Sequence, residues 1–150
     1  MEFRLALSLP RDELSVPVVR RLLTGALQVL GVDAAVISDI EVALTEACTN
    51  VLHHAGSADE YEVSAGIIGD RCVIEVHDRG GGFDGNTRGL TTADLSAEEG
   101  RGIQLMRSLV DRVSFSNRNQ RGTVVYLEKH LHFAADSILG RLAQDDAAPR

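Results

Sequence analysis

Asp33–Gly56 reads DAAVISDIEVALTEACTNVLHHAG, and its apolar residues repeat with the period of one long helix. Val36, Ile37, Ile40, Ala43, Leu44, Ala47, Val51 and Leu52 fall near the i, i+3, i+4 spacing that buries one stripe. Asp33 is placed to cap the start, and Gly56 follows the end, where a left-handed residue costs least. Glu46, Asn50 and His54 stand four residues apart on this helix, so their side chains stack on nearly one face. Satisfied polar residues at a helix edge would account for any one of them. A carboxylate, an amide and an imidazole in a row beside a buried stripe call for a further reason.

Upstream, Phe3, Leu5, Leu7 and Leu9 alternate with Arg4, Ala6 and Ser8, the period of a half-buried strand that Pro10 ends. Ser15 is the expected N-cap of a helix running through VVRRLLTGALQVL to Gly31, with Pro17 in its first turn. Downstream, Tyr61–Ile68 and Arg71–His77 predict two strands joined at Gly69-Asp70, a hairpin dipeptide. Asn86–Glu99 is polar and aperiodic and reads as a loop or lid. GRGIQLMRSLVDRV then regains a helical period, with Gly100 and Gly102 expected to precede the helix start. Val113–Ser116 and Thr123–Lys129 read as a last strand pair, HLHFAADSILGRLA as a short helix, and QDDAAPR as a frayed end.

The order β-α-α-β-β-loop-α-β-β predicts an α+β fold. It is a two-layer sandwich with a mixed, mostly antiparallel sheet and helices on one face. One domain over 1–132 is expected, followed by a short C-terminal helix and tail over 133–150. A length of 150 residues, 44% hydrophobic and 25% charged, suits a single packed core. The net charge of −7 argues against nucleic acid as a direct partner. No apolar run is long enough to span a membrane, and the start lacks a signal pattern, so a cytoplasmic location is expected. Cys48 and Cys72 read as small core residues rather than a disulfide or metal pair.

Three glycine clusters follow the central helix: Gly80-Gly81-Gly82, Gly100-Arg101-Gly102 and Gly122-Thr123. Each alone is an ordinary loop. Glycines at a helix N-terminus nevertheless let a phosphate reach exposed N–H groups and the positive end of the dipole. Asp78 closes a strand beside the first cluster, where a carboxylate can accept from an exocyclic amine, although a strand-terminal turn former would look the same. Neither the Rossmann fingerprint nor a P-loop is present.

Taken in order, Glu46-x-x-x-Asn50-x-x-x-His54-Ala55, Asp78-x-Gly80-x-Gly82-Phe83, Gly100-x-Gly102 and Gly122-Thr123 resemble the GHKL ATP-binding (Bergerat) fold of histidine kinases, gyrase and MutL. The His-Ala after the Asn and the GRGIQLMRSLVDRV helix look most like the anti-sigma factor/serine protein kinase branch of bacterial partner switching. The resemblance reaches to about Leu131.

It implies that Asn50 holds Mg²⁺ against the ATP phosphates and that Glu46 is the general base. Asp78 would bind the adenine amine, supported by Thr123, with Gly80 and Gly82 shaping the adenine-side loop. Gly100, Arg101 and Gly102 would meet the phosphates, residues 86–99 would form the ATP lid with Arg88 as a further phosphate contact, and His54 would give second-shell support. ATP and Mg²⁺ are the implied cofactors. A sigma factor and a STAS-type anti-anti-sigma protein phosphorylated on serine are the implied partners, with a homodimer as the assembly. The sequence departs from the branch at Val18, where an arginine facing the partner and phosphates is expected. That departure motivates the alternative of an ATP-dependent anti-sigma or regulatory binding module with little or no kinase activity.

Overall fold

The computed structural model describes residues 2–54, 59–78, 97–117 and 123–149, without the side chains of His54, Thr123 and residues 97–100 and 116–117. Its elements run β1 (Glu2–Pro10), α1 (Ser15–Leu30), α2 (Ala34–His54), β2 (Glu60–Ile68), β3 (Arg71–Asp78), α3 (Ala97–Leu109), β4 (Arg112–Asn117), β5 (Thr123–His130) and α4 (Ile138–Ala147). The strands form one sheet in the order β1-β2-β3-β5-β4. The expected α+β sandwich is present. Every pairing in the sheet is antiparallel, so the mixed sheet gives way to a purely antiparallel one. The physical reason is that each pair is either a hairpin or a return across the sheet running in the opposite sense.

Alternation along the strands sorts the sheet into two faces. Leu9, Tyr61, Val63, Ala65, Ile67, Cys72, Ile74, Val76, Val125 and Leu127 point to the helices and are buried. In the helix layer, α1 packs on β1, α2 on β3 and β5, and α3 beside α2 and β4. The stripe read from α2 is buried as expected, with Ala43, Ala47 and Cys48 fully enclosed. Both cysteines are free thiols in that core. Burial pushes each of them from the ordinary 9.0 up to about 12.

Gly31 ends α1 in the left-handed region at φ 90°, and Gly69 opens the two-residue β2–β3 turn at φ 62°. Three local expectations are corrected. Ser15 is the first residue of α1 rather than its N-cap, which is Leu14. Being buried, the Ser15 hydroxyl is satisfied by the Asp12 carbonyl at 2.6 Å and the Tyr61 hydroxyl at 2.5 Å, while Asp12 Oδ1 accepts from the Leu14 N–H at 2.9 Å. The third helix starts at Ala97, so Gly100 and Gly102 lie inside α3 rather than ahead of it. The last helix continues through Gln144 to Ala147, where the sequence suggested a frayed end. Ser137 caps it, its Oγ accepting from the Gly140 N–H at 3.0 Å, and Leu139 anchors it in the core.

Candidate functional site

Backbone contacts fix which ends of the elements come together. The Asp33 N–H donates to the His132 carbonyl and the Leu131 N–H to the Asp70 carbonyl, so the start of α2 lies at the β2–β3 turn. α2 and β3 therefore run side by side, and their far ends, Glu46 to His54 and Asp78, share the opposite edge of the molecule. α3 runs back against α2. Lys129 joins its last turn to the first half of α2, donating to the Leu109 carbonyl at 2.6 Å and to Asp39 Oδ2 at 3.1 Å. The first turn of α3 is thereby brought to the end of the molecule where Asp78 and the last turns of α2 lie.

Gly102 and Glu46 meet there. A Cβ built on Gly102 would stand 2.7 Å from Glu46 Oε2, so only a glycine leaves room for the carboxylate in its present place. Asn50 lies one turn further along the same helix face. Its Nδ2 is buried and has no hydrogen-bond partner among the described residues. A buried amide that leaves a donor unmet is costly unless a ligand or water completes it. Asp78 is 4% exposed on the helix-facing side of β3, directly across from Tyr61. That carboxylate is engaged within the protein, while its Oδ2 has no hydrogen bond to the described residues. Val124 pairs with His77, which sets Thr123 one position beyond, level with Asp78.

The structure thus brings Glu46, Asn50, Asp78, Gly100, Arg101, Gly102 and the Thr123 backbone to one end. Arg101 is exposed on α3 and interacts within the protein. Gly80, Gly82, Arg88, Gly122 and the lid up to residue 96 lie outside the described residues, as does the His54 side chain. Residues 97–99, assigned to the lid by sequence, belong to α3 instead. Val18 is 49% exposed on α1.

Sequence reasoning passed over two supports of this arrangement, one at each end. Arg11 donates through Nη2 to the Leu52 carbonyl at 2.9 Å, holding the last turn of α2 against the end of β1. Lys129, the only lysine in the chain, was visible as a composition oddity but gave no hint of its tether. Among the described residues no cluster of three or more His, Cys, Asp or Glu side chains could hold a metal by itself. A cation here would need ligands from a phosphate-bearing partner molecule, and an amide such as Asn50 suits a hard cation that takes few protein ligands. No helix among the described residues is long and apolar enough to cross a membrane.

Comparison with known proteins agrees with this fold. The family model for the histidine kinase-like ATPase domain matches residues 9–129. Serine-protein kinase RsbW of Bacillus subtilis (strain 168) is 31% identical over 137 residues, covering 84% of each chain. RsbW of Bacillus pumilus is 32% identical over 139 residues, covering 84% of this chain and 85% of that one. Among solved structures, the RsbU and RsbW domains of Rv1364c from Mycobacterium tuberculosis superpose with a TM-score of 0.67 at 23% identity, covering 86% of this chain and 32% of that one. The SiaB–SiaC complex from Pseudomonas aeruginosa has the same fold at a TM-score of 0.61 and 15% identity, covering 85% of this chain and 89% of that one. The chain belongs to the histidine kinase-like ATPase family, the GHKL fold.

Proposed function

We infer that this chain is an ATP-dependent serine protein kinase and anti-sigma factor that phosphorylates a STAS-type antagonist in a partner-switching system. The observation that carries the reading is the pairing on α2 of Glu46, held beside Gly102, with Asn50, whose buried amide is incompletely bonded. Its RsbW relatives bear the name serine-protein kinase. In phosphoryl transfer the protein mainly positions reactants and offsets charge, so a carboxylate of ordinary strength serves as base.

Glu46 orients the serine hydroxyl of the partner and takes its proton as the oxygen–phosphorus bond forms and the bond to ADP breaks. Asn50 offers its amide oxygen to Mg²⁺ and its N–H to a phosphate oxygen. Mg²⁺ held there would offset the charge of the phosphates. Asp78 accepts from the adenine amine, with Thr123 beside it. Gly80 and Gly82 shape the adenine loop, and Gly100, Gly102 and Arg101 line the phosphates. Residues 86–96 are read as the ATP lid, with Arg88 as a further phosphate contact, and His54 as a supporting residue. The protein works in the cytoplasm as a homodimer whose partners are a sigma factor and its antagonist.

A second reading, an ATP-dependent binding module with little kinase activity, is favoured by Val18, an exposed valine where this branch is expected to place an arginine. Calorimetric titration with ATP, with and without Mg²⁺, tests the nucleotide step common to both. The account expects Mg²⁺ to tighten ATP binding in the native chain and to have no such effect in Asn50→Ala. An equal Mg²⁺ effect in both would remove Asn50 as the ligand.

A further inference from the structure

At the end of the molecule opposite the nucleotide site, α4 leaves a cavity beside it. The helix is clamped at its first turn, where Leu139 and Gly140 are buried. A Cβ built on Gly31 would run into the Cβ of Ser137, and one built on Gly140 into the Ala134 carbonyl, so both glycines let the chain close tightly there. Past that turn burial falls away: Leu142 is half-buried, and Ala143 and Asp146 are exposed. The space left between this part of α4 and the β2–β3 turn measures about 290 Å³. That is near the lower end of the range for pockets that hold small molecules.

Its lining has two chemistries. Ile67, 1% exposed, forms the apolar floor, and Leu139, Leu142 and Phe133 add apolar walls. Such a hollow leaves its lining short of contact atoms on one side. Asp70 and Asp146 belong to the same lining, and no basic side chain does. Asp70 is 55% exposed and already takes a nitrogen donor, with His130 Nε2 3.1 Å from its Oδ2. Asp146 is exposed and is likewise engaged within the protein. A carboxylate has about four acceptor positions, so one partner leaves each with room for another donor. Phe133, Leu139, Leu142 and Asp146 lie past residue 129, where the match to the ATPase family model ends. The cavity is therefore built largely by sequence outside that match.

We propose that this cavity is a binding site for a small organic cation, a primary amine on a single ring or short alkyl chain. The apolar body lies against Ile67, Leu142 and Phe133, and the ammonium group meets Asp70 and Asp146 at the solvent side. Charge selects this occupant. Two carboxylates repel an anion, and a neutral molecule of the same shape gains nothing from them. A second copy of the chain carries −7 and would bring acidic surface to an acidic mouth. The volume excludes a large ligand, and burial of the apolar body supplies most of the affinity, because exposed ion pairs are weak. The site stands apart from the kinase reading, since the nucleotide residues lie at the other end of α2 and β3.

The test follows backbone amide shifts of the isotope-labelled full chain by NMR as hexylamine, phenethylamine or cyclohexylmethylamine is added. Phenethyl alcohol and hydrocinnamate serve as the neutral and anionic counterparts. At least one amine should shift the Gly69, Asp70 and Ala143 amides saturably, at millimolar concentration or below. The alcohol should bind about 5-fold more weakly and the carboxylate not at all, and added salt should narrow the difference between amine and alcohol. Ala143→Leu, at an exposed position that tolerates the larger side chain, fills the cavity and should remove the shifts. Asp70→Asn combined with Asp146→Asn should leave the alcohol bound and abolish the advantage of the amine. Three results would each overturn the proposal: no amine shifting these amides, amine and alcohol bound equally by the native chain, or amine binding unchanged in both variants. Shifts of the same amides on concentrating the chain alone would place a second copy in the cavity and overturn it as well. ATP titrated into the native chain reports separately on the nucleotide reading.

Discussion

Asp78, Asn50 and Glu46 are three polar groups at one edge of a closely packed core, and each invites a different loss. Asp78→Asn keeps the size of the side chain but turns one acceptor oxygen into a donor, which opposes an adenine amine. ATP binding should become undetectable by calorimetry while the melting temperature stays within a few degrees; an unchanged affinity would remove the adenine assignment. Glu46→Ala should bind ATP normally and lose phosphotransfer by about 100-fold or more, since base catalysis supplies roughly that much. Transfer retained in Glu46→Ala would remove it as the base. That Glu46 and Asn50 stand one turn apart beside a buried stripe was legible in the helix period. Ser15 was misread for a matching reason: its cap-like sequence context says nothing about the Tyr61 hydroxyl that meets it from β2.

At the scale of elements, the packing of α2 against α3 controls where the Glu46 carboxylate sits. Gly102→Ala would place a methyl group 2.7 Å from Glu46 Oε2 and push that flexible end aside. Replacing glycine within a helix gains about 0.5–1 kcal/mol, so stability should hold or rise. Phosphotransfer should nevertheless fall by about 10–100-fold, because small misplacements of a reacting group are costly. A variant that is both stable and fully active would break the link between the two helices and the chemistry. Lys129→Met tests the other end of α3. Losing the bond to the Leu109 carbonyl should cost about 1–2 kcal/mol, read as a lower urea midpoint; the half-open pair with Asp39 adds little. The element order, the Gly69-Asp70 hairpin and the buried stripe of α2 could all be read from local period and turn chemistry. The start of α3 could not. Ala97-Glu98-Glu99 shows no apolar repeat.

For the molecule as a whole, the same burial that builds the core sets its response to alkali. The Cys48 and Cys72 thiols are raised from 9.0 to about 12, and the Tyr61 hydroxyl from 10.0 to about 12, in each case chiefly by burial. All three stay protonated in the folded chain after they would ionise in the unfolded one. Stability is therefore full below pH 9 and declines as the pH climbs from 9 toward 12. Urea unfolding at pH 7 and pH 10 should show the decline, and Cys48→Ala with Cys72→Ala should shrink it. A midpoint independent of pH over that range would contradict the burial of the thiols. The sheet's strand order and the handover from α2 to β3 to α3 complete the site only in three dimensions, which is why the tether at Lys129 and the brace at Arg11 were silent in the sequence. The most direct measurement is transfer of labelled γ-phosphate from Mg-ATP to a panel of STAS-domain proteins, with Glu46→Ala alongside. The account predicts label on a serine of one partner, absent with the variant. ATP bound by the native chain with no label on any partner would contradict the kinase and leave the binding module in its place.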